Sequence, residues 1–204
     1  MRARAPLQYF GVCNLLSYVS LFCGFAAVTA ARSWHSWEGS GLLIAISALA
    51  DTFDGKFARC FSRDESEVEF GGELDSLVDA VSFGVVPMIC LDSLLPSGAT
   101  LLQLAASFVY VVCAVTRLGY FNVHQNESSG FVGLPTTLAA LIWSTVFLLH
   151  PSPWFATLMM VVIGCAMVLP LRISRPRGVT MWLFMTWFLT VFGFYGLRIW
   201  EGNH

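Results

Sequence analysis

Four aspartates stand in two short blocks of an otherwise apolar sequence. Asp51 and Asp54 lie one helical turn apart in LLIAISALADTFDGKFARCF, and Asp75 and Asp79 lie one turn apart in FGGELDSLVDAVSFG. If both segments are helical, each pair projects from a single helix face. Carboxylates that converge in apolar surroundings repel one another and lose their hydration, so they need a positive partner. Hard divalent cations with oxygen ligands meet that need, and the spacing predicts a site for two of them.

The other positions on these two faces are small or basic: Gly55, Ala58, Arg59 and Gly71. Two interpretations of the small residues stay open. They leave room for a bulky, flat ligand to approach the backbone, or they allow two membrane helices to pack closely. An ion-pair network of the aspartates with Lys56, Arg59 and Arg63 is the alternative to a metal site, but it does not account for the small residues.

Seven apolar segments position these blocks, at roughly 10–31, 41–60, 74–92, 99–120, 132–149, 154–171 and 180–199. Each is close to the ~20 residues that cross a bilayer. The chain is 56% hydrophobic and only 12% charged, with a mean hydropathy of +0.70, which excludes an ordinary soluble domain. We therefore predict an all-α, polytopic transmembrane helix bundle of about six to seven spans. The fifth and sixth segments are the weakest, and a single re-entrant hairpin is their alternative.

No linker separates two parts of the sequence, so residues 1–204 are expected to form one catalytic domain. With the N-terminus in the cytoplasm, nine of the eleven Lys and Arg residues fall on the inner side, which agrees with the positive-inside rule. The loops 60–73 and 172–179 are then cytoplasmic. Most acidic residues fall on the same side, so we expect a site at the cytoplasmic face of the inner membrane.

The two aspartate blocks resemble the signature of the CDP-alcohol phosphotransferase family. The matching pattern runs Asp51-x2-Asp54-Gly55-x2-Ala58-Arg59, followed by Gly71-x3-Asp75-x3-Asp79. Eleven residues separate Arg59 from Gly71, where the family usually has eight. Three extra residues in a loop cost little. Within the family, residues 70–87, the RLGYFN stretch at 117–122 and the Gly133-Leu134-Pro135 segment resemble the phosphatidylserine synthase branch.

The resemblance implies the chemistry of the site. An acceptor hydroxyl attacks the lipid-side phosphorus of a CDP-lipid and CMP leaves, with two Mg²⁺ or Mn²⁺ ions held by the aspartate quartet. Asp79 is also the candidate general base. The implied CDP-lipid-binding residues are Asn14, Ser17, Gly55, Ala58, Arg59 and Gly71. For Asn14 and Ser17, an ordinary interhelical hydrogen bond is the alternative. A homodimer is implied too, and no nucleic-acid partner is expected.

The branch implies CDP-diacylglycerol and L-serine as substrates. Arg117 is the candidate for binding the serine carboxylate, because it is a lone cation in its apolar helix and a guanidinium grips a carboxylate with two hydrogen bonds. Asn122 is a second acceptor-binding candidate. Choline, glycerol phosphate and inositol phosphate stay open as acceptors. From another functional class, a divalent-cation transporter is the alternative, but its acidic residues should spread across the membrane depth.

Overall fold

The computed structural model describes residues 5–95, 100–124, 131–170, 172–173 and 179–202. The helices are α1 Leu15–Ser33, α2 Trp37–Ala58, α3 Glu65–Asp79, α4 Val86–Leu94, α5 Leu101–His124, α6 Thr136–Leu148, α7 Pro153–Val168 and α8 Val179–Gly202. Two-residue strands, β1 Phe131–Val132 and β2 Arg172–Ile173, pair antiparallel. The predicted all-α fold is confirmed.

Four helical stretches are long and apolar enough to cross a membrane: Val12–Ser33, Glu65–Leu94, Leu101–His124 and Trp182–Glu201. Helix α2 has 22 residues but ends in a charged stretch. Helices α6 and α7, with 13 and 16 residues, are shorter than the ~20 residues of a full span. These two are the segments that the sequence marked as weakest. The chain is a polytopic helical membrane protein, and the count of seven spans stays a prediction.

Helix α3 begins earlier than the sequence suggested. Asp64 caps it by accepting from the Glu67 backbone N–H at 3.0 Å, while the Glu67 carboxylate accepts from the Asp64 N–H at 3.0 Å. This reciprocal capping box starts the helix at Glu65. The expected loop over residues 60–73 is therefore wrong for most of its length, because its acidic residues cap and extend a helix. The expected loop at 172–179 lies largely outside the described residues.

A π-helical turn, Ala80–Val85, joins α3 to α4 directly after Asp79. In such a turn, backbone hydrogen bonds join residues five positions apart and not four. The buried Tyr110 hydroxyl of α5 donates to the carbonyl oxygen of Phe83, within this turn, at 2.8 Å. Turns of this kind are frequent near functional sites. Here the turn anchors the end of α3 to α5.

Helix α1 packs along α2 through small polar residues. The Ser47 hydroxyl donates to the Ser20 carbonyl at 2.8 Å, and the Ser40 hydroxyl donates to the Ala27 carbonyl at 3.1 Å. These buried contacts set the register of the two helices. Helix α2 also packs against α6, and α5 packs along α7. The register of α1 places Ser17 beside the acidic end of α2.

Candidate functional site

The four aspartates of α2 and α3 meet at one place. Asp51, Asp54 and Asp75 each bring a carboxylate oxygen to within 4.8 Å of the others. Asp79 is more deeply buried, with 7% of its surface exposed, and it is close enough to Asp51 and Asp75 to interact electrostatically with both. The structure therefore brings together the residues that helical spacing had placed on two facing surfaces.

Hydroxyl groups from two other helices hold three of these carboxylates. Ser17 of α1 donates to Asp54 Oδ2 at 3.1 Å. At the start of α6, Thr136 donates to Asp79 Oδ2 and Thr137 donates to Asp51 Oδ2, both at 2.7 Å. Four helices thus contribute to a single polar cluster: α1, α2, α3 and α6.

The ion-pair alternative does not describe this cluster. Within the described ranges, Lys56, Arg59 and Arg63 form no ion pair with the four carboxylates. Arg117 of α5 is 6% exposed and interacts electrostatically with Asp79 and Asp51. One guanidinium cannot balance four carboxylates at close range, so the cluster carries uncompensated negative charge when ionised.

The donor set fits divalent cations. Every candidate ligand atom is a carboxylate oxygen, which is the kind that Mg²⁺ and Mn²⁺ prefer. Asp79 Oδ1 is buried and has no hydrogen-bond partner among the described residues. A buried, unpartnered carboxylate oxygen is costly unless something else binds it. A bound cation or the hydroxyl group of a reacting molecule would supply that partner.

A cavity of about 520 Å³ opens beside the carboxylates, between α1, α2 and α3. Its volume is within the usual range for small-molecule sites. The lining includes two of the aspartates and all six residues predicted to bind the CDP-lipid: Asp54, Asp75, Asn14, Ser17, Gly55, Ala58, Arg59 and Gly71. Residues from three separate stretches of the sequence therefore face one volume.

The space around Gly55 distinguishes between the two interpretations of the small residues, a ligand site or close helix packing. A Cβ atom added at Gly55 would meet no heavy atom within 4 Å, so this glycine is not required for contact with a neighbouring helix. A Cβ at Gly71 would approach Arg63 Nη1 at 3.4 Å and Asn14 Oδ1 at 3.5 Å, which are side chains on the cavity wall. Open space beside Gly55 favours the ligand interpretation at that position.

Asn14 and Ser17 both line the cavity, but only Ser17 also makes an interhelical hydrogen bond among the described residues. Ser17 lines the cavity and also makes the interhelical hydrogen bond to Asp54. Asn14 lines the cavity and donates from Nδ2 to the Tyr9 carbonyl at 3.3 Å. Its side chain is thereby held in place at the start of α1.

The two acceptor candidates lie on α5, and neither of them lines the cavity. Arg117 donates from Nη1 to Thr136 Oγ1 at 3.4 Å, and its guanidinium lies 5.3 Å from the centre of the Phe121 ring. Asn122 Oδ1 accepts from the hydroxyl of Ser76, the neighbour of Asp75, at 3.0 Å. Arg117 is thus connected to Asp79 by two hydrogen bonds through Thr136. Asn122 contacts α3, the helix that carries Asp75.

Sequence reasoning missed several residues of this site. Thr136 and Thr137 were not singled out, although two hydroxyl residues directly after Gly133-Leu134-Pro135 begin a largely apolar helix. Others line the cavity without having been assigned to it: Cys13, Arg63, Val68 and Gly72. Hydroxyls at the first turn of an apolar helix were the available signal for the threonines.

Comparison with known proteins gives several related sequences. A CDP-diacylglycerol–serine O-phosphatidyltransferase of Helicobacter pylori is 32% identical over 139 residues, which cover 67% of this chain and 56% of the relative. The enzyme of the same name from Mycobacterium leprae is 32% identical over 193 residues, covering 86% of this chain and 61% of the relative. An archaetidylserine synthase of Methanothermobacter thermautotrophicus is 28% identical over 179 residues, covering 87% of this chain and 76% of the relative.

The chain thus spans little more than half the length of the first of these relatives. The sequence profile described as CDP-alcohol phosphatidyltransferase matches residues 10–192, which include both aspartate blocks, the cavity lining and the threonines of α6. The acidic cluster and the cavity beside it lie inside the matched region. The chain belongs to the CDP-alcohol phosphatidyltransferase family.

Proposed function

We propose that this protein transfers a phosphatidyl group from CDP-diacylglycerol to L-serine, giving phosphatidylserine and CMP. The observation that carries the proposal is the acidic cluster at the edge of a cavity lined by the family signature. Serine as the acceptor is supported by the names of the three relatives, two of which are serine O-phosphatidyltransferases and one an archaetidylserine synthase.

Asp51, Asp54, Asp75 and Asp79 would hold two divalent cations, Mg²⁺ or Mn²⁺. When bound, such cations stabilise the negative charge of the pyrophosphate and of the leaving CMP oxygen. The protein's part is to keep the carboxylates together despite their mutual repulsion. Ser17, Thr136 and Thr137 do this by donating hydrogen bonds to three of them.

In the proposed reaction the serine hydroxyl oxygen forms a bond to the lipid-side phosphorus of CDP-diacylglycerol. The bond from that phosphorus to the bridging oxygen breaks, and CMP leaves with the electron pair. Asp79 Oδ1, which has no protein partner among the described residues, takes the hydroxyl proton. A positioned base of this kind contributes roughly 10²–10⁴-fold to the rate.

The cavity between α1, α2 and α3 would hold the cytidine diphosphate part of the lipid. Arg59 and Arg63 both line it and make no ion pair with the quartet among the described residues, so their guanidinium groups are available for phosphate oxygens. The open space beside Gly55 allows the ligand to approach the helix backbone. The hydrocarbon chains would extend into the surrounding bilayer.

Arg117 and Asn122 are the proposed acceptor-binding residues. Arg117 is buried beside Asp79, so a carboxylate held by its guanidinium would lie near the proposed base. Asn122 is anchored by Ser76 through its carbonyl oxygen, which fixes the orientation of its amide. Its remaining Nδ2 donor is suited to a second oxygen of the acceptor.

We further propose that residues 1–204 act as one catalytic domain in the inner membrane, with the site facing the cytoplasm. Positively charged residues concentrate on the predicted cytoplasmic side, and CDP-lipid and serine are both accessible there. The homodimer stays a prediction from family resemblance, to be checked by mass measurement in detergent.

The decisive experiment is an acceptor test on purified protein. CMP release from CDP-diacylglycerol is followed with Mg²⁺ or Mn²⁺ and one acceptor at a time: serine, choline, glycerol 3-phosphate or inositol phosphate. We expect release with serine alone, and none when the cation is removed. Efficient turnover of choline would refute the serine assignment. Ion flux through reconstituted vesicles without CMP release would support the transporter instead.

A further inference from the structure

Two adjacent threonines at the start of α6 contact two different aspartates of the site. Thr136 Oγ1 donates to Asp79 Oδ2 and Thr137 Oγ1 donates to Asp51 Oδ2, both at 2.7 Å. Both distances are ordinary for hydrogen bonds between a hydroxyl group and a carboxyl oxygen. Helix α6 therefore holds one carboxylate of α2 and one of α3 with a single turn.

Thr136 has a defined direction of hydrogen bonding. A threonine hydroxyl has one proton, and Thr136 donates it in the hydrogen bond to the Asp79 carboxylate. The same oxygen accepts from Arg117 Nη1 at 3.4 Å, so the hydrogen bonds run from Arg117 through Thr136 to Asp79. Thr136 is 1% exposed, which leaves no room for bulk water to replace either partner.

The start of α6 is itself fixed against α7. Gly133 adopts φ +75, and a Cβ atom there would overlap the carbonyl group of Met167. The next residue, Leu134, donates its backbone N–H to the Ala166 carbonyl at 2.9 Å. Pro135 then restricts the backbone just before the helix begins. The position of both threonines is thus set by the end of α7 and not only by the aspartates.

We infer that Thr136 and Thr137 are positioning residues, each of which holds one carboxylate oxygen of the catalytic cluster in a fixed place. For Asp79 the consequence is specific. Oδ2 is held by Thr136, while Oδ1 is buried without a partner among the described residues and stays available for the reaction. For Asp51, Thr137 sets the orientation of a predicted cation ligand. This inference rests on the proposed function, because it assigns the threonines to the same site.

The test compares valine and serine at each position. Valine keeps the shape of threonine and removes the hydroxyl, whereas serine keeps the hydroxyl and removes the methyl group. Two quantities are measured in detergent: the apparent Mn²⁺ affinity, from the Mn²⁺-dependent rise of Tm without any CDP-lipid, and the kcat and KM values for both substrates. Thr157→Val is the matched control, since its hydroxyl donates only locally, to the Pro153 carbonyl of α7.

We expect Thr137→Val to weaken Mn²⁺ binding about 10- to 100-fold, the usual effect of removing a residue that orients a metal ligand. Thr136→Val should lower kcat by a similar factor, ~10- to 100-fold, with the KM for CDP-diacylglycerol unchanged. Both serine variants should stay close to the parent in Mn²⁺ affinity and kcat. Should a valine variant fail to fold, the alanine variant replaces it in the comparison with serine.

Two outcomes would overturn the inference: valine variants with parental Mn²⁺ affinity and kcat, or serine variants that are as impaired as valine. The second would mean that the methyl groups matter for packing and the hydroxyls do not. Asp51→Asn and Asp79→Asn are measured in the same assays. If these also match the parent, the proposed function fails; if they lose activity while the threonine variants do not, only this inference fails.

Discussion

Asp51 in the second half of α2 and Asp75 in the second half of α3 present carboxylate oxygens within 4.8 Å of each other. The two helices are joined by only a few residues, and the capping box at Asp64 and Glu67 fixes where the second one begins. An unbalanced pair of carboxylates at this distance is unfavourable in the interior of a protein. The fold therefore maintains a repulsive contact, which is expected where a protein builds a binding site for cations.

The first prediction concerns this repulsion. Asp51→Asn, Asp54→Asn, Asp75→Asn and Asp79→Asn should each lower CMP release by about 10³-fold or more, because a missing ligand costs the transition state several kcal/mol. In metal-free buffer the same variants should be at least as stable as the parent, since one like charge is gone. CMP release and Tm with and without EDTA measure both effects. Near-parental turnover in any one variant would contradict a shared site.

The second prediction tests the cavity. Gly55→Leu should fold normally, because a side chain there enters open space and leucine has a higher helix propensity than glycine. It should raise the KM for CDP-diacylglycerol or abolish turnover, because the added side chain occupies the proposed nucleotide volume. Gly193→Leu on α8 is the matched control, since a Cβ there also meets nothing within 4 Å. Equal kinetics of the two variants would argue against a ligand beside Gly55.

The third prediction concerns the segment before α6. Gly133→Ala should lower stability by about 1–3 kcal/mol, because a residue with a Cβ is strained at φ +75 and overlaps the Met167 carbonyl. Activity should fall as well, since Thr136 and Thr137 follow three and four residues later. Thermal unfolding and CMP release are compared with Gly196→Ala, where a Cβ meets nothing within 4 Å. An unchanged Tm would show that α6 does not depend on this contact.

Much of the site was predictable because it depends on local spacing. Asp51, Asp54, Gly55 and Ala58 share a face of α2 by helical periodicity alone, and the cavity lining contains the predicted residues. The early start of α3 was also predictable from the sequence, since Asp64 and Glu67 have the spacing of a capping box. The break between two apolar segments had suggested a loop, but the capping box begins a helix there.

The contributions of α6 could not be predicted in the same way. The hydrogen bond from Thr136 to Asp79 joins residues 57 positions apart, and the one from Thr137 to Asp51 joins residues 86 positions apart. No periodicity connects such positions, because the contact depends on how α6 packs between other helices. The same holds for the small residues, where spacing allowed two interpretations and only the space around Gly55 distinguished them.

The fourth prediction addresses orientation. A single cysteine at position 69, which is exposed on the first turns of α3, should react with a membrane-impermeant maleimide only from the cytoplasmic side. The native cysteines are removed for this purpose, because Cys60 and Cys165 are also exposed. The extent of labelling is compared between intact cells, where no reaction is expected, and inverted vesicles, where the cysteine should react. Reaction in intact cells would place the acidic cluster on the outer face and would remove the access of cytoplasmic serine to it.

The last prediction separates two roles of Arg117. If its guanidinium binds the serine carboxylate, Arg117→Lys should raise the KM for serine by about 10- to 100-fold, the equivalent of losing one charge-assisted hydrogen bond. The KM for CDP-diacylglycerol should stay near the parental value. Ethanolamine, which lacks the carboxylate, should be a poor acceptor for the parent protein.

The alternative role is electrostatic. Arg117 is buried, donates to Thr136 and interacts with Asp79 and Asp51, so its charge also lowers the repulsion within the cluster. If that is its main contribution, removal of the charge, as in Arg117→Gln, should change serine and CDP-lipid kinetics together and shift the cation concentration needed for half-maximal activity. Lysine keeps the charge but not the planar fork, so a variant with parental kinetics for both substrates would assign Arg117 to charge balance. A selective loss of serine binding would assign the guanidinium to the acceptor.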